Sequence, residues 1–259
     1  MTLLGPNLSN RQWRNPQLTD PDKALLLELR PGAILLFSYH RRDGWDWIRD
    51  NLHPQLWVIR LNDLGDLANL EAIYEHYQDE EVVIQIGNEP NHPTAEPWGG
   101  DVGRYKAFFY EASGRLTATC PKWALCFPGL SPSIDYEKWL ADQNVRLMVN
   151  KCRYLGAHGY YQVNPLDALG PIQAAHAAFP DKPILATEVC CTSGEPPMST
   201  PRPRVQLALD YAAIARGLAE LPYVKAVLWF ILGSDDPRWD RYGETFDLQM
   251  ARELGRVQL

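Results

Sequence analysis

Two glutamates, Glu89 and Glu188, each follow closely on an apolar run that is typical of a buried strand. The run before Glu89 is Val82–Ile86, and the run before Glu188 is Ile184–Thr187. Two carboxyl groups that converge on one bond can cleave a glycosidic linkage with retention. One, as an acid with a raised pKa, protonates the leaving oxygen while the other attacks the anomeric carbon. Because this chemistry needs the carboxyl groups about 5–5.5 Å apart, the two residues require a scaffold that brings distant strand ends together.

Short apolar runs of this kind occur eight times and alternate with helical stretches along the 259 residues. Such alternation indicates a parallel sheet, and eight units favour closure into a (β/α)₈ barrel, which takes about 250 residues. We therefore predict an α/β fold, a single (β/α)₈ TIM barrel that forms one catalytic domain over residues 1–259, with its active site at the carboxyl ends of the strands. The predicted strands are Thr2–Leu4, Ala33–Phe37, Trp57–Leu61, Val82–Ile86, Trp123–Phe127, Tyr154–Ala157, Ile184–Thr187 and Ala226–Phe230.

Capping signals and apolar stripes predict the helices between these strands. Asp20-Pro21 and Asn164-Pro165 each place a capping side chain before a proline at the first helical position. Apolar residues at spacings of three and four predict three further helices. Their stripes are Leu70, Ile73, Tyr74 and Tyr77; Val102, Tyr105, Phe109, Ala112 and Leu116; and Val205, Ala208, Leu209, Ala212, Ala215 and Leu218. Long loops follow strands four, seven and eight, at residues 90–101, 190–203 and 232–245.

Composition restricts the partners. The net charge of −7 argues against nucleic acid and anionic membranes, which favour a basic face. The five cysteines are odd in number and form no C-x-x-C pair, so we expect neither a disulfide framework nor a structural zinc site. No basic segment followed by an apolar one begins the chain, and no run of 18 apolar residues occurs, so we expect no signal peptide and no membrane span. The compartment stays open between the cytoplasm and a leaderless or processed secreted form.

The motifs resemble those of the clan A retaining glycoside hydrolases. The matching positions are Asn-Glu-Pro at residues 88–90 after the fourth strand, Thr187-Glu188 at the seventh strand and Trp229 on the eighth. The resemblance implies a (β/α)₈ fold, with Glu89 as acid/base and Glu188 as nucleophile. It also implies that Asn88 hydrogen-bonds the sugar 2-hydroxyl beside the cleaved bond.

The same resemblance extends to the sixth strand. Many clan members carry a His-x-Tyr motif there, and its tyrosine hydrogen-bonds the nucleophile. His158 and Tyr160 match that spacing, which implies a catalytic role for Tyr160 and a substrate-binding role for His158. The residues after Glu188 depart from the pattern, since Val-Cys-Cys stands where many relatives have a glycine or an aromatic residue.

Several aromatic residues are candidates for sugar binding, because aromatic rings stack on sugar faces and also fill cores. Trp229 can form the platform under the sugar at the cleavage site or belong to the barrel core. Trp98 and Trp239, on the loops after strands four and eight, can stack on outer sugars or anchor their loops. Tyr39 and His40, after strand two, can line the cleft.

Arg60 ends the third strand and is the candidate cation of the site. An arginine among carboxylates favours their charged form, so Arg60 can hold the nucleophile ionised. The alternative is a surface ion pair. Clan members usually place such an arginine on an earlier strand.

The substrate predicted is an oligo- or polysaccharide, and no cofactor or metal is expected. Few and moderate loops favour an open groove and an endo-acting β-glucanase, and we expect a monomer. Compact size resembles the small endo-β-1,3-glucanase family, whereas Asn-Glu-Pro-Asn at residues 88–91 also resembles the β-xylosidase and α-iduronidase family. Two alternatives stay open. One is a metal-dependent sugar isomerase or epimerase that uses Glu89, His158, Glu188 and Asp235, and the other is a catalytically dead carbohydrate-binding barrel.

Overall fold

The computed structural model describes residues 2–8, 18–94, 97–132, 135–193, 202–230, 232 and 247–255. Eight parallel strands form one sheet in the order β1-β8-β7-β6-β5-β4-β3-β2. An isolated bridge between Asn7 and Leu35 joins the two edge strands, so the sheet is a nearly closed barrel. The predicted (β/α)₈ fold is confirmed. The strands are β1 Leu3–Pro6, β2 Ala33–Phe37, β3 Leu56–Leu61, β4 Val82–Ile86, β5 Ala124–Phe127, β6 Tyr154–Tyr161, β7 Ile184–Cys191 and β8 Val224–Trp229.

Strands β6 and β7 run further than their apolar runs predict. The sequence predicts ends at Ala157 and Thr187, whereas the strands continue to Tyr161 and Cys191. The extension is polar because it carries the candidate site residues, which hides it from a search for apolar runs. The candidate residues of β6 and β7 therefore lie inside strands rather than on loops.

Helices cover the outside of the sheet. Helix α1 begins at Asp20, and its N-cap is Thr19 rather than the predicted Asp20: Thr19 and Asp22 form a reciprocal capping box. Asn164 does cap the short 3₁₀ helix 165–168 as predicted. No helix in the described ranges is long and apolar enough to cross a membrane. The α-helices are α1 Asp20–Leu29, α2 Arg42–Leu52, α3 Leu67–Tyr77, α4 Val102–Thr119, α5 Tyr136–Ala141, α6 Gln143–Lys151, α7 Leu169–Ala178, α8 Arg204–Ala219 and α9 Leu248–Gly255.

The predicted apolar stripes pack as expected on α3 and α4 but only partly on α8. Val205 and Leu209 are about half exposed, at 51% and 56%. The buried face of α8 instead follows Leu207, Tyr211 and Ile214. Because helical residues repeat every 3.6 positions, Val205 and Leu209 fall outside that face.

Two apolar cores lie on opposite sides of the sheet. Alternate residues of each strand point to opposite faces. On β8, Ala226 and Leu228 belong to the small cluster inside the barrel, whereas Val227 and Trp229 belong to the large cluster between strands and helices. The same alternation puts Val58 of β3 inside the barrel, and with it Arg60 two residues further on. This alternation decides which strand residues reach the mouth of the barrel.

Candidate active site

Glu89 has a backbone conformation that is unusual for its residue type. After β4 the chain turns at Gly87, whose φ of 89° suits glycine, and Glu89 itself has a φ of 34°. The amide of Glu89 donates to the carbonyl oxygen of Gly129 at 3.1 Å. Left-handed backbone costs roughly 1–2 kcal/mol for a residue with a Cβ, and such strain concentrates at functional sites. The turn directs the Glu89 side chain toward β6.

Glu188 reaches the barrel interior through a bulge in β7. Leu185 points inward and Ala186 outward, so strict alternation would turn Glu188 outward with Ala186. In the pairing of β6 with β7, however, Ala157 pairs with Ala186 and the next residue, His158, pairs with Glu188. Thr187 is thus an extra residue on β7, and such bulges re-aim the side chains that follow them.

The two glutamates meet across the hydroxyl of Tyr160. That hydroxyl donates to Glu188 Oε2 at 2.6 Å and lies 3.1 Å from Glu89 Oε1. His158 Nδ1 lies 2.9 Å from Glu89 Oε1 and 2.9 Å from the Tyr160 hydroxyl. One carboxylate oxygen of each glutamate and one ring nitrogen of His158 all lie within 4.8 Å of one another. The structure therefore brings Glu89, Glu188, His158 and Tyr160 together.

Arg60 binds the other oxygen of Glu188. Its Nη1 donates to Glu188 Oε1 at 2.5 Å, and both side chains are buried, with 3% and 6% exposed. This excludes the surface ion pair that the sequence left open for Arg60. Its guanidinium also lies over the Phe37 ring, 5.4 Å from the centroid. A charge-assisted bond of this length and burial fixes the orientation of the carboxylate.

The electrostatics of Glu89 differ from those expected of a resting acid. Burial raises the pKa of Glu89, but the hydrogen bonds from His158 and Tyr160 and the charges of His158 and His92 lower it further, so that the pKa ends below its ordinary value. The sequence argument required a raised pKa. Burial and the two neighbouring carboxylates raise the pKa of Tyr160 well above its usual range. Tyr160 therefore stays protonated and acts as a hydrogen-bond donor.

Several buried polar atoms around this cluster have no hydrogen-bond partner in the described part of the chain. They include Asn88 Oδ1, Arg60 Nε and Nη2, Gln85 Oε1 and both polar atoms of the Asn7 side chain. A buried polar group without a partner costs roughly 1–3 kcal/mol, and the hydroxyl groups of a ligand can supply partners. Sequence analysis missed Gln85, although an amide two residues after the inward-facing Val83, in an otherwise apolar run, is a recognisable signal.

Two tryptophans predicted to bind sugar lie elsewhere. Trp229 is fully buried and points away from the barrel interior, where its ring stacks on Tyr211 of α8 with centroids 4.9 Å apart. Trp98 is 5% exposed and packs against Tyr105 and Phe108 of α4. Neither offers a free face to a sugar, because rings of the helix layer cover them. Both predictions are wrong, and Trp239 lies outside the described residues.

Tyr39 and His40 follow β2, and only Tyr39 lies toward the site. The Tyr39 ring stacks on Phe37, 5.2 Å away, and the charge of Arg60 acts on it. His40 folds back into the turn, where its Nδ1 accepts a hydrogen bond from the Phe37 amide at 2.8 Å. Burial lowers the pKa of His40 from 6.5 to about 3, so its ring is neutral. His40 is thus part of the turn rather than of the cleft lining.

Glu89, His158 and Glu188 also have the spacing of a possible metal site. Their donor atoms, however, already bond to one another and to Tyr160, and Arg60 places a positive charge on Glu188. A cation would have to displace these bonds. Asp235, the fourth ligand that the isomerase alternative needs, lies outside the described residues.

Comparison with known proteins gives structural neighbours only. No family model and no curated protein matches the chain. A GH128 (subgroup II) endo-β-1,3-glucanase from Pseudomonas viridiflava superposes with a TM-score of 0.72 at 12% identity, covering 99% of this chain and 98% of that one. A GH128 (subgroup I) endo-β-1,3-glucanase from Amycolatopsis mediterranei, in complex with laminaritriose, gives 0.63 at 17%, covering 98% and 100%. A GH113 β-1,4-mannanase gives 0.62 at 12%, covering 100% of both chains. These solved neighbours are glycoside hydrolases, and at such identities the likeness shows the fold.

Proposed function

We propose that this protein is a retaining glycoside hydrolase that cleaves a β-glycosidic bond by double displacement, with Glu188 as nucleophile and Glu89 as acid/base. The observation that carries the proposal is the pair of carboxylates bridged by Tyr160, with one oxygen of each within 4.8 Å of the other. Retaining enzymes hold their carboxyl groups about 5–5.5 Å apart, whereas inverting enzymes need about 6.5–9.5 Å to admit a water molecule.

In the first step, Glu188 attacks the anomeric carbon and Glu89 protonates the leaving oxygen. Arg60 and Tyr160 each bind one oxygen of Glu188, so the carboxylate is already oriented for attack. Glu89 must be protonated for this step, although its pKa is low in the free protein. A bound sugar would exclude water from Glu89 and draw the Tyr160 hydroxyl away from it. Both changes raise its pKa.

In the second step, Glu89 acts as the base. It takes a proton from water, the water oxygen attacks the anomeric carbon, and the bond to Glu188 breaks. The low pKa of Glu89 in the free protein suits this half of the reaction, because an ionised carboxylate can accept the proton. The unpartnered Oδ1 of Asn88 is available to a sugar hydroxyl next to the reacting carbon, in agreement with the 2-hydroxyl contact inferred for Asn88.

For the substrate, we propose endo-cleavage of a β-1,3-glucan. The support is the coverage of nearly the whole chain by two endo-β-1,3-glucanases. The mannanase neighbour, which covers the chain equally well, makes β-1,4-mannan the second candidate.

A screen of laminarin, cellulose, mannan and xylan tests both the activity and the linkage. We expect oligosaccharides from laminarin, with the β-anomer formed first in proton NMR. Glu188→Ala should abolish turnover while retaining binding. Activity that disappears with a chelator and returns with a divalent cation would support the isomerase alternative, and binding without turnover in the wild-type chain would support the non-catalytic one.

A further inference from the structure

Gly129, in the segment that follows β5, contacts both members of the Glu89–His158 pair. Its carbonyl oxygen accepts the hydrogen bond from the Glu89 amide at 3.1 Å. On its other side it lies against the imidazole ring of His158. A Cβ at position 129 would overlap ring atoms Cδ2 and Nε2, well inside the 3.0 Å that real Cβ atoms keep. One residue thus meets the backbone of Glu89 and the ring that bonds its carboxylate.

Space, not backbone freedom, is the reason for a glycine here. The φ of Gly129 is outside the left-handed region, so an L-residue can adopt the same backbone. The obstacle is the His158 ring, which is fully buried and cannot turn into solvent. Gly156 on β6 serves the same approach from the other side, since a Cβ there would lie 2.6 Å from the Gly129 nitrogen. Two glycines therefore let the segment after β5 lie directly against β6.

We propose that Gly129 is a positioning residue for the acid/base. Its missing side chain seats His158 against Glu89 Oε1, and its carbonyl holds the left-handed backbone of Glu89. The inference rests on the proposed function, because it assigns Gly129 a role only if Glu89 does acid/base work.

An alanine at position 129 would disturb the pair in one of two ways. Either the His158 ring moves off the Cβ and breaks its bonds to Glu89 and Tyr160, or the segment moves and withdraws its carbonyl from the Glu89 amide. Hydrogen bonds weaken steeply beyond about 3.2 Å, so a shift of one ångström is enough. The acid/base loses its orientation in both cases.

The pH profile reports this loss specifically. The groups that face Glu89 are His158 and Tyr160 on β6, His92 on its own loop, and Glu188 with its partner Arg60 across the mouth. Without the His158 bond, the effect of burial on Glu89 is no longer offset, and its pKa rises. The basic limb of the kcat/KM profile, which follows the pKa of the acid in the free enzyme, should then move to higher pH.

The experiment compares Gly129→Ala with Gly114→Ala on laminarin. Gly114 is an exposed glycine of α4, and a Cβ there meets nothing within 4 Å, so this control should keep the wild-type kcat, pH profile and melting temperature. Gly129→Ala should lower kcat about tenfold or more, within the range of general acid–base contributions. It should change KM less than kcat and move the basic limb upward.

A double-mutant cycle with His158→Ala separates the ring contact from a general packing defect. If the ring is the obstacle, Gly129→Ala should cost nothing further in kcat or melting temperature in the His158→Ala background. This comparison also decides the matter if Gly129→Ala alone does not fold. Additive effects, or an unmoved basic limb in Gly129→Ala, would overturn the inference. If the wild-type chain cleaves none of the four polysaccharides, the proposed function fails instead.

Discussion

At the scale of single residues, the site depends on a buried ion pair rather than on isolated carboxylates. Arg60 and Glu188 come from opposite sides of the barrel, on β3 and β7, and are joined at 2.5 Å where water has little access. Taking two charges out of water is costly, and removing one partner leaves the other buried without compensation. The nucleophile and its arginine therefore behave as one unit.

Arg60→Met tests this dependence. We expect the free energy of unfolding to fall by about 3–5 kcal/mol, the usual cost of breaking a buried pair, and turnover to fall with it because Glu188 loses its orientation. Urea unfolding at pH 7 measures the first effect and initial rates on laminarin the second.

The matched control is Arg115→Met, which breaks the exposed pair of Arg115 with Glu71 at 2.6 Å. Surface pairs contribute about 0–1 kcal/mol, so this variant should stay close to the wild-type protein. Adding Glu188→Gln to Arg60→Met should recover most of the lost stability. Equal losses in Arg60→Met and Arg115→Met would contradict the argument.

At the scale of elements, the bulge at Thr187 decides whether Glu188 serves the site at all. β7 uses one residue more than both neighbours here: it advances two residues against one on β6 and three against two on β8. A strand without the extra residue would send the glutamate toward the helices. The catalytic geometry is thus a property of strand pairing rather than of the residue alone.

Deleting Thr187 should remove the bulge. The shortened strand would restore regular alternation, turn the glutamate outward toward α8, and abolish turnover. Thr187→Val keeps the residue count and removes a hydroxyl that has no partner in the described structure, so it should fold at least as stably as wild type and keep measurable turnover. A crystal structure of the deletion variant locates the glutamate, and activity in that variant would disprove the argument.

These elements also mark how far sequence reasoning reaches. The apolar runs of β2 and β4 were long and uninterrupted enough to predict both strands with their observed bounds. The bulge at Thr187 has no such signal, because its only trace is a register shift between two chains of partners. Trp229 shows the opposite failure: the motif resemblance placed it in the site, whereas alternation from Leu228 turns it toward Tyr211. Residue types identified the chemistry, and strand pairing determined which residues take part.

At the scale of the whole molecule, the barrel is closed by a short seam. β1 meets β2 through the Asn7–Leu35 bridge and by close approach of their backbones. Gly5 makes that approach possible, since a Cβ at this position would overlap the carbonyl oxygen of Ala33. Because Arg60 on β3 and Glu188 on β7 are connected around the barrel through this seam as well as through β4–β6, closure and catalytic geometry are linked.

Gly5→Ala should therefore weaken the fold and the site together. The obstacle is backbone, which cannot move aside as a flexible side chain can, so β1 must separate from β2. We expect a loss in the free energy of unfolding at the upper end of the roughly 1–3 kcal/mol typical of overpacking, or beyond it, and a fall in kcat at temperatures where the variant is still folded. Gly170→Ala, near the start of α7 where a Cβ meets nothing within 4 Å, is the control and should change neither quantity. Thermal unfolding followed by circular dichroism, with rates measured well below each midpoint, separates the two effects. If Gly5→Ala loses stability but keeps the wild-type kcat, the mouth of the barrel is held by β3–β7 alone and the seam matters only for folding.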